Sequence, residues 1–144
     1  RAVSSSFMVS ADNAHAVHPN HPEKADPINR PMINKGIVIK FNAAQHYTTD
    51  AVSCAVYRDL CESNDIPVQV FTNRSDTRGG STLGNVSNAH VSLNTVDIGL
   101  AQLAMHSCYE TVGARDTKHL VDAMTVFYSK TFRADAGGSF ELLD

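Results

Sequence analysis

Short apolar runs alternate with segments of helical periodicity along this chain. The runs have the length and composition of buried β-strands, and they lie at residues 6–11, 36–41, 67–71 and 91–98. Apolar positions at helical spacing predict helices over 51–63 and 116–129, and Thr49 or Asp50 can cap the first. Strands that alternate with helices predict an α/β fold in which helices pack on a mixed or parallel sheet.

The segments between these elements are polar and rich in residues that interrupt helices and strands. Four prolines deny residues 13–31 a long helix and predict an irregular loop, of a length that is usually functional. Residues 74–85 predict a glycine-rich loop, and residues 103–110 predict a loop or a short helix. The tail at 131–144 is weakly patterned, and we expect it to fray.

The composition fits one soluble domain with a hydrophobic core. The chain has 144 residues and weighs 15.6 kDa, with 42% hydrophobic and 19% charged residues. A formal charge of −3 gives no general attraction to nucleic acid, and no apolar run reaches the roughly 18–20 residues of a membrane span. Three cysteines make no disulfide framework, which favours a reducing, cytoplasmic location. The chain begins at Arg1 without a signal-peptide pattern, and we expect it to be a segment of a longer protein.

The densest group of candidate metal ligands lies at residues 12–21, which hold Asp12 and three histidines. Imidazole and carboxylate both suit zinc, so this cluster could form a metal site. Its His-x-x-His spacing matches no standard zinc motif, and hydrogen-bonded loop histidines without a metal are the simpler interpretation. His106 is a second candidate, although a lone histidine is more often buried and hydrogen-bonded. The residues alone leave both interpretations open.

Two other chemistries receive little support from the sequence. Residues 74–82 contain glycines and hydroxyl groups but lack the G-x-x-x-x-G-K-[ST] spacing of a phosphate-binding loop. A cysteine nucleophile would pair Cys108 with His106, but residues two apart on a helix do not face each other. Cys54 and Cys61 lie on the first predicted helix, where small core residues are expected.

Four motifs, taken in order, resemble the aspartyl aminopeptidase family of two-zinc exopeptidases. They occupy residues 9–20, 34–40, 78–84 and 97–107, within a match that runs from about 7 to 129 without large gaps. The resemblance implies a three-layer αβα fold with a mixed sheet, as part of a zinc-exopeptidase-like catalytic domain. Residues 1–130 would be the C-terminal half of that domain, and residues 131–144 are a tail that departs from the family pattern.

The resemblance also implies roles for individual residues. Asp12 would be a carboxylate ligand to one zinc and His106 an imidazole ligand to the other, with manganese or cobalt as alternative metals. His15 and His18 would orient ligands and substrate, and His21 would lie outside the site. The pocket for the substrate's N-terminal side chain and the loop beside it would include Lys40, Tyr47, Gly79 and Gly80.

The implied function is the removal of N-terminal, acidic residues from peptides by a two-metal hydroxide. The Lys40 ammonium suits an acidic side chain, although a solvated lysine at a strand end is the simpler interpretation without the family. The other metal ligands and a glutamate base would lie upstream, so we expect the chain alone to be inactive. Expected partners are a peptide substrate, the remaining half of the catalytic domain and further copies in a homo-oligomer, with no nucleic acid and no membrane. The alternative is a non-catalytic scaffold fragment, which a parent reading frame starting at this chain would favour.

Overall fold

A mixed sheet with helices on both sides forms the body of the chain. The computed structural model describes residues 2–135 and 139–143. The strands are β1 (Phe7–Ala11), β2 (Ala14–His15), β3 (Ile37–Phe41), β4 (Val68–Thr72), β5 (Asn94–Gly99), β6 (Ala101–Leu103), β7 (Thr111–Val112), β8 (Thr131–Ala134) and β9 (Phe140–Leu143). The helices are α1 (Ala51–Glu62), α2 (Leu83–His90) and α3 (Ala114–Ser129), with short 3-10 turns at Val3–Ser5 and Pro22–Lys24. None of the helices in the described residues is long and apolar enough to span a bilayer.

The central sheet contains the four strands that the apolar runs predict. β1, β5, β3 and β4 lie side by side in that order. β1 is parallel to β5 and β3 is parallel to β4, whereas β3 and β5 are antiparallel, so the mixed sheet is confirmed. Because Ala11 lies opposite Ile98 in the parallel pair, the residues that follow β1 and β5 emerge at one edge. Within the described residues, β1 has no strand on its outer side.

Alternation of side chains along the strands separates the two faces of this sheet. Ile98 on β5 is fully buried against Tyr57 of α1 and Ala123 of α3. Its neighbour Asp97 points to the opposite face, where the backbone of Gly84 on α2 lies against the Asp97 carboxylate. Helices α1 and α3 therefore cover one face and α2 covers the other, which confirms the three-layer αβα arrangement.

A second, smaller sheet continues the chain beyond the edge where β1 and β5 end. β2 pairs parallel with β6, and β6 pairs antiparallel with β7. The amide of Ala14 donates to the Leu100 carbonyl oxygen at 2.9 Å, so the segment after β1 runs beside the segment after β5. Asp12 precedes β2 and His106 follows β6, and this pairing brings their two segments into one layer.

The connecting segments differ from the expectations in several places. Residues 13–31 contain β2 and a 3-10 turn, and residues 103–110 lie in a hairpin between β6 and β7. Helix α2 begins inside the loop predicted at 74–85.

The predicted frayed tail is a hairpin instead. β8 pairs with β9, and the rings of Phe132 and Phe140 stack with their centroids 5.6 Å apart. Leu142 on β9 packs against the core. Fraying is therefore wrong for the described part of the tail, because alternate apolar side chains face the body of the chain. Residues 136–138 and 144 of the tail, and residue 1 of the predicted domain, lie outside the described residues.

Candidate active site

The end of β1 carries Asp12 against the end of β5. The Asp12 amide donates to the Ile98 carbonyl oxygen at 3.0 Å. A Cβ on Gly99 would lie 1.9 Å from the Asp12 carbonyl oxygen, so only glycine lets β5 approach the backbone of Asp12 this closely. The Asp12 residue itself is exposed. The backbone of Asp12 is thus held by β5 while its carboxylate faces solvent.

Lys40 is a buried cation beneath this point. Only 1% of the residue is exposed, and its Nζ donates to the Asp12 carbonyl oxygen at 2.9 Å. Nζ also lies 4.9 Å from the centre of the Tyr47 ring, a distance suited to a cation–π contact. Burial lowers the pKa of Lys40, and the negative charges of Asp12 and Asp97 act in the opposite direction.

Asp97 organises the layer around Lys40 and Tyr47. Its fully buried carboxylate accepts hydrogen bonds from the Thr48 amide at 2.6 Å, the Thr48 hydroxyl at 2.7 Å and the Thr82 hydroxyl at 2.7 Å. Thr48 follows Tyr47 directly, so the same contacts fix the segment that carries the tyrosine ring. Burial, together with the charges of Asp12 and Asp97, raises the pKa of Tyr47 and keeps its hydroxyl protonated.

His15 and His106 approach each other at the same edge. His15 lies on β2 opposite Gln102 of β6. His106 lies three residues beyond Leu103, the last residue of β6. The pKa of His15 is lowered, first because neighbouring atoms partly desolvate its imidazole and then because His106 and Lys40 lie near it. The structure therefore brings His15 within electrostatic reach of both the predicted ligand His106 and Lys40.

The other two histidines of the first cluster lie in a cleft that adjoins this edge. The rings of His18 and His21 are 5.3 Å apart, and both line a cleft of about 270 Å³ that His15 also borders. His18 Nδ1 accepts from the Asn20 amide at 3.2 Å, and His21 Nδ1 lies 3.2 Å from a Glu23 carboxylate oxygen. Both rings thus have local partners, and the structure leaves the proposed role of His18 toward substrate as a prediction.

The glycine-rich loop reaches the site only at its end. A Cβ on Gly79 would lie 2.7 Å from Asn73 Oδ1, whereas a Cβ on Gly80 would meet no atom within 4 Å. Thr82, which ends this loop, lines a groove of about 720 Å³ together with Asp12 and the half-buried strand β1. Contact of Gly79 or Gly80 with a substrate remains a prediction.

Comparison with known proteins identifies the family of this chain. Residues 1–128 match the family model for the aminopeptidase I zinc metalloproteases (M18). The chain belongs to the M18 aminopeptidase family. This finding confirms the resemblance drawn from the four sequence motifs.

Curated M18 relatives are similar along most of this chain. A probable M18 family aminopeptidase 2 from Clostridium acetobutylicum is 53% identical over 129 residues, which is 90% of this chain and 30% of the relative. The corresponding protein from Clostridium novyi is 51% identical over the same shares. The chain therefore spans less than a third of the length of these relatives.

Two solved structures share the fold of this chain. The crystal structure of yeast aminopeptidase 1 superposes with a TM-score of 0.75 at 30% identity, covering 85% of this chain and 26% of that protein. The structure of the Ape4 and Nbr1 complex gives a TM-score of 0.85 at 40% identity, covering 88% of this chain and 24% of the other. This M18 chain thus has the same fold as the matching part of these larger proteins.

The donor set of the M18 chain does not by itself fit a metal ion. Asp12 and His106 have the right donor atoms for zinc, but the described residues contain no group of three or more histidine, cysteine, aspartate or glutamate side chains that could hold a metal. A catalytic zinc needs three protein ligands. Within the residues that the structure describes, the donors fall short of that number.

Sequence reasoning assigned no role to two acidic residues of this M18 chain, Asp97 and Glu110. Asp97 interrupts an apolar strand, and a charge at a buried strand position is a signal of a hydrogen-bonded network. Glu110 has no comparable signal, because its contact with the His106 amide arises only when the β6–β7 hairpin closes.

Proposed function

We propose that this chain supplies part of the two-metal centre of an M18 aminopeptidase that removes acidic residues from the amino ends of peptides. The observation that carries the proposal is the position of Asp12, whose backbone is fixed by Lys40 and β5 while its carboxylate is exposed. Asp12 would bind one zinc and His106 the other, or manganese or cobalt in their place. Because the described donors are incomplete, we propose that the chain alone hydrolyses no aminoacyl substrate.

Lys40 supports the acidic preference. An ammonium group carries three donors, and the Asp12 carbonyl oxygen takes one of them. A substrate carboxylate that accepts from another would form a charge-assisted hydrogen bond in a poorly solvated place, where such a bond is stronger than at the surface. Tyr47 would lie beside the same substrate carboxylate, since its ring already contacts Nζ.

The outer side of β1 supports docking of the rest of the M18 domain. Strand β1 lines the groove of about 720 Å³ that ends at Asp12. Beside it on α2, Leu83 is 80% exposed and Val86 is 54% exposed. Because the chain spans only 30% of the relatives, we propose that the remaining part of the family's catalytic domain packs here and adds the missing ligands.

We also propose an oligomeric state and a cellular location. A solved relative is the dodecamer of yeast mApe1, which supports a homo-oligomer. The three cysteines are free, which supports a reducing, cytoplasmic location.

A chimera tests the proposed function. The 129 matching residues of the Clostridium acetobutylicum relative are replaced by the corresponding residues of this chain, and hydrolysis of aspartyl and alanyl chromogenic substrates is measured with added zinc or manganese. We expect turnover by the chimera, none by the chain alone, and a loss of more than about 100-fold on Asp12→Ala. Asp122→Ala is the matched control, because that carboxylate pairs with Lys118 on the surface of α3.

The outcomes separate the parts of the proposal. A folded chimera without turnover would favour the scaffold fragment, and turnover by the chain alone that disappears on Asp12→Ala would overturn its inactivity. Lys40→Met should lower hydrolysis of the aspartyl substrate more than that of the alanyl substrate. Equal losses on both substrates would contradict the acidic preference.

A further inference from the structure

The loop that carries His106 closes a hairpin. Strand β6 ends at Leu103, which pairs with Thr111 of the antiparallel strand β7. The loop at 104–110 joins these two strands, so its first and last residues are brought side by side. Glu110, the last residue of the loop, therefore lies beside its first residues, and its side chain reaches His106.

Two residues of this loop have a backbone conformation that side chains disfavour. Ala104 has a φ of 55° and His106 a φ of 67°, both in the left-handed region. Residues with a Cβ enter this region at a cost in energy, and they remain there only when surrounding contacts hold them. His106 therefore needs a contact that fixes its main chain.

Glu110 provides a contact to His106 itself. Its Oε1 accepts a hydrogen bond from the His106 amide at 2.6 Å, a short distance typical of a bond to a charged acceptor. Two weaker contacts close the rest of the loop: the Ser107 amide donates to the Ala104 carbonyl oxygen at 3.0 Å, and the Tyr109 amide donates to the Ser107 hydroxyl at 3.1 Å. Neither of them engages the backbone of His106.

We propose that Glu110 is a positioning residue for His106. Its carboxylate holds the histidine backbone in the left-handed conformation, and this conformation sets the direction in which the imidazole leaves the loop. Glu110 acts through the main chain of His106. The inference rests on the proposed function, because it takes His106 as a ligand of the metal centre.

Hydrogen exchange tests the contact in the chain as it exists. Glu110→Ala should speed exchange of the His106 amide by at least about tenfold, because the bond that protects it is removed. Glu110→Gln keeps an acceptor without the charge and should restore part of the protection. The exposed Glu62 is the matched control, and Glu62→Ala should leave the His106 rate unchanged. An unchanged rate in Glu110→Ala would overturn the proposal.

Zinc affinity of the chimera tests the consequence for the site. Glu110→Ala should weaken zinc binding, measured by competition with a chromogenic chelator, by about 10–100-fold, as found for residues that orient metal ligands. The melting temperature should stay unchanged, and Glu110→Gln should recover part of the affinity. Zinc binding that is insensitive to Glu110→Ala would overturn the positioning role alone. A chimera that binds no zinc with Glu110 in place would instead overturn the proposed function.

Discussion

Lys40 holds Asp12 by its backbone and leaves the Asp12 carboxylate free. Nζ donates to the carbonyl oxygen at 2.9 Å, and no residue in the described part of the chain donates a hydrogen bond to the Asp12 side chain. A direct ion pair would neutralise the carboxylate and compete with a cation for its oxygens. The observed contact fixes the position of Asp12 without using the atoms that a metal would need.

Removal of the Asp97 carboxylate should strongly destabilise the chain. Asp97→Ala leaves the half-buried Thr48 amide and hydroxyl and the buried Thr82 hydroxyl without their acceptor, and a buried group that loses its partner costs about 1–3 kcal/mol. We expect the free energy of unfolding in urea to fall by roughly 3 kcal/mol or more. Asp122→Ala should change it by less than about 1 kcal/mol, because the Lys118 pair lies on the surface. A similar loss in the two variants would contradict the role of Asp97.

A side chain at Gly99 should displace Asp12. The Cβ of Gly99→Ala would lie 1.9 Å from the Asp12 carbonyl oxygen, and backbone must move to relieve that overlap. We expect a lower melting temperature and weaker zinc binding by the chimera. Gly80→Ala is the control, because a Cβ there meets no atom within 4 Å, and it should leave the melting temperature unchanged or slightly raised. Equal effects of the two substitutions would show that the close approach to Asp12 is unimportant.

The lowered pKa of His15 predicts a definite dependence on pH. The folded chain binds a proton at His15 less tightly than the unfolded chain does. The contribution of this group to stability is therefore complete above the ordinary histidine pKa of about 6.5 and is lost as the pH falls toward the folded-state pKa. A proton NMR titration should give a His15 midpoint below about 6.5. Lys40→Met should raise that midpoint because a nearby positive charge is removed, whereas Lys118→Met should leave it unchanged. A midpoint at or above the ordinary value would contradict the prediction.

The three cysteines should differ in reactivity. Burial raises the pKa of Cys61 to about 12, and it also raises the pKa of Cys54, whereas Cys108 is exposed. Because the thiolate is the reactive form, iodoacetamide near pH 8 should label Cys108 first and Cys61 only after unfolding. Peptide mapping by mass spectrometry measures this order, and Cys108→Ser should abolish the fast phase. Labelling of Cys61 at the rate of Cys108 would contradict its burial.

The strands and the two long helices could be predicted because their patterns are local. Apolar runs mark the buried strands, and Asp50, one of the two predicted caps of α1, accepts from the Ser53 amide. Helix α2 was missed because it contains glycine, serine and asparagine, and because Leu83 and Val86 face outward. Its position depends on Gly84 packing against Asp97, a contact that the local sequence does not indicate.

Family resemblance, and not residue spacing, singled out Asp12 and His106 as a pair. Asp12 follows β1 and His106 follows β6, and pairings between distant segments, such as that of β2 with β6, bring the two parts of the chain together. The same limit applies to Asp97 with Thr48, since the register of distant segments creates that contact. Contacts of this kind depend on sheet order, which apolar patterning leaves undetermined.

The open outer edge of β1 affects how readily copies of this polypeptide associate. Unpaired strand edges recruit strands from other chains, and Leu83 and Val86 place exposed hydrophobic surface next to this one. Exposed edges and apolar patches of this kind favour association between copies, so the tendency of the polypeptide to aggregate should rise with its concentration.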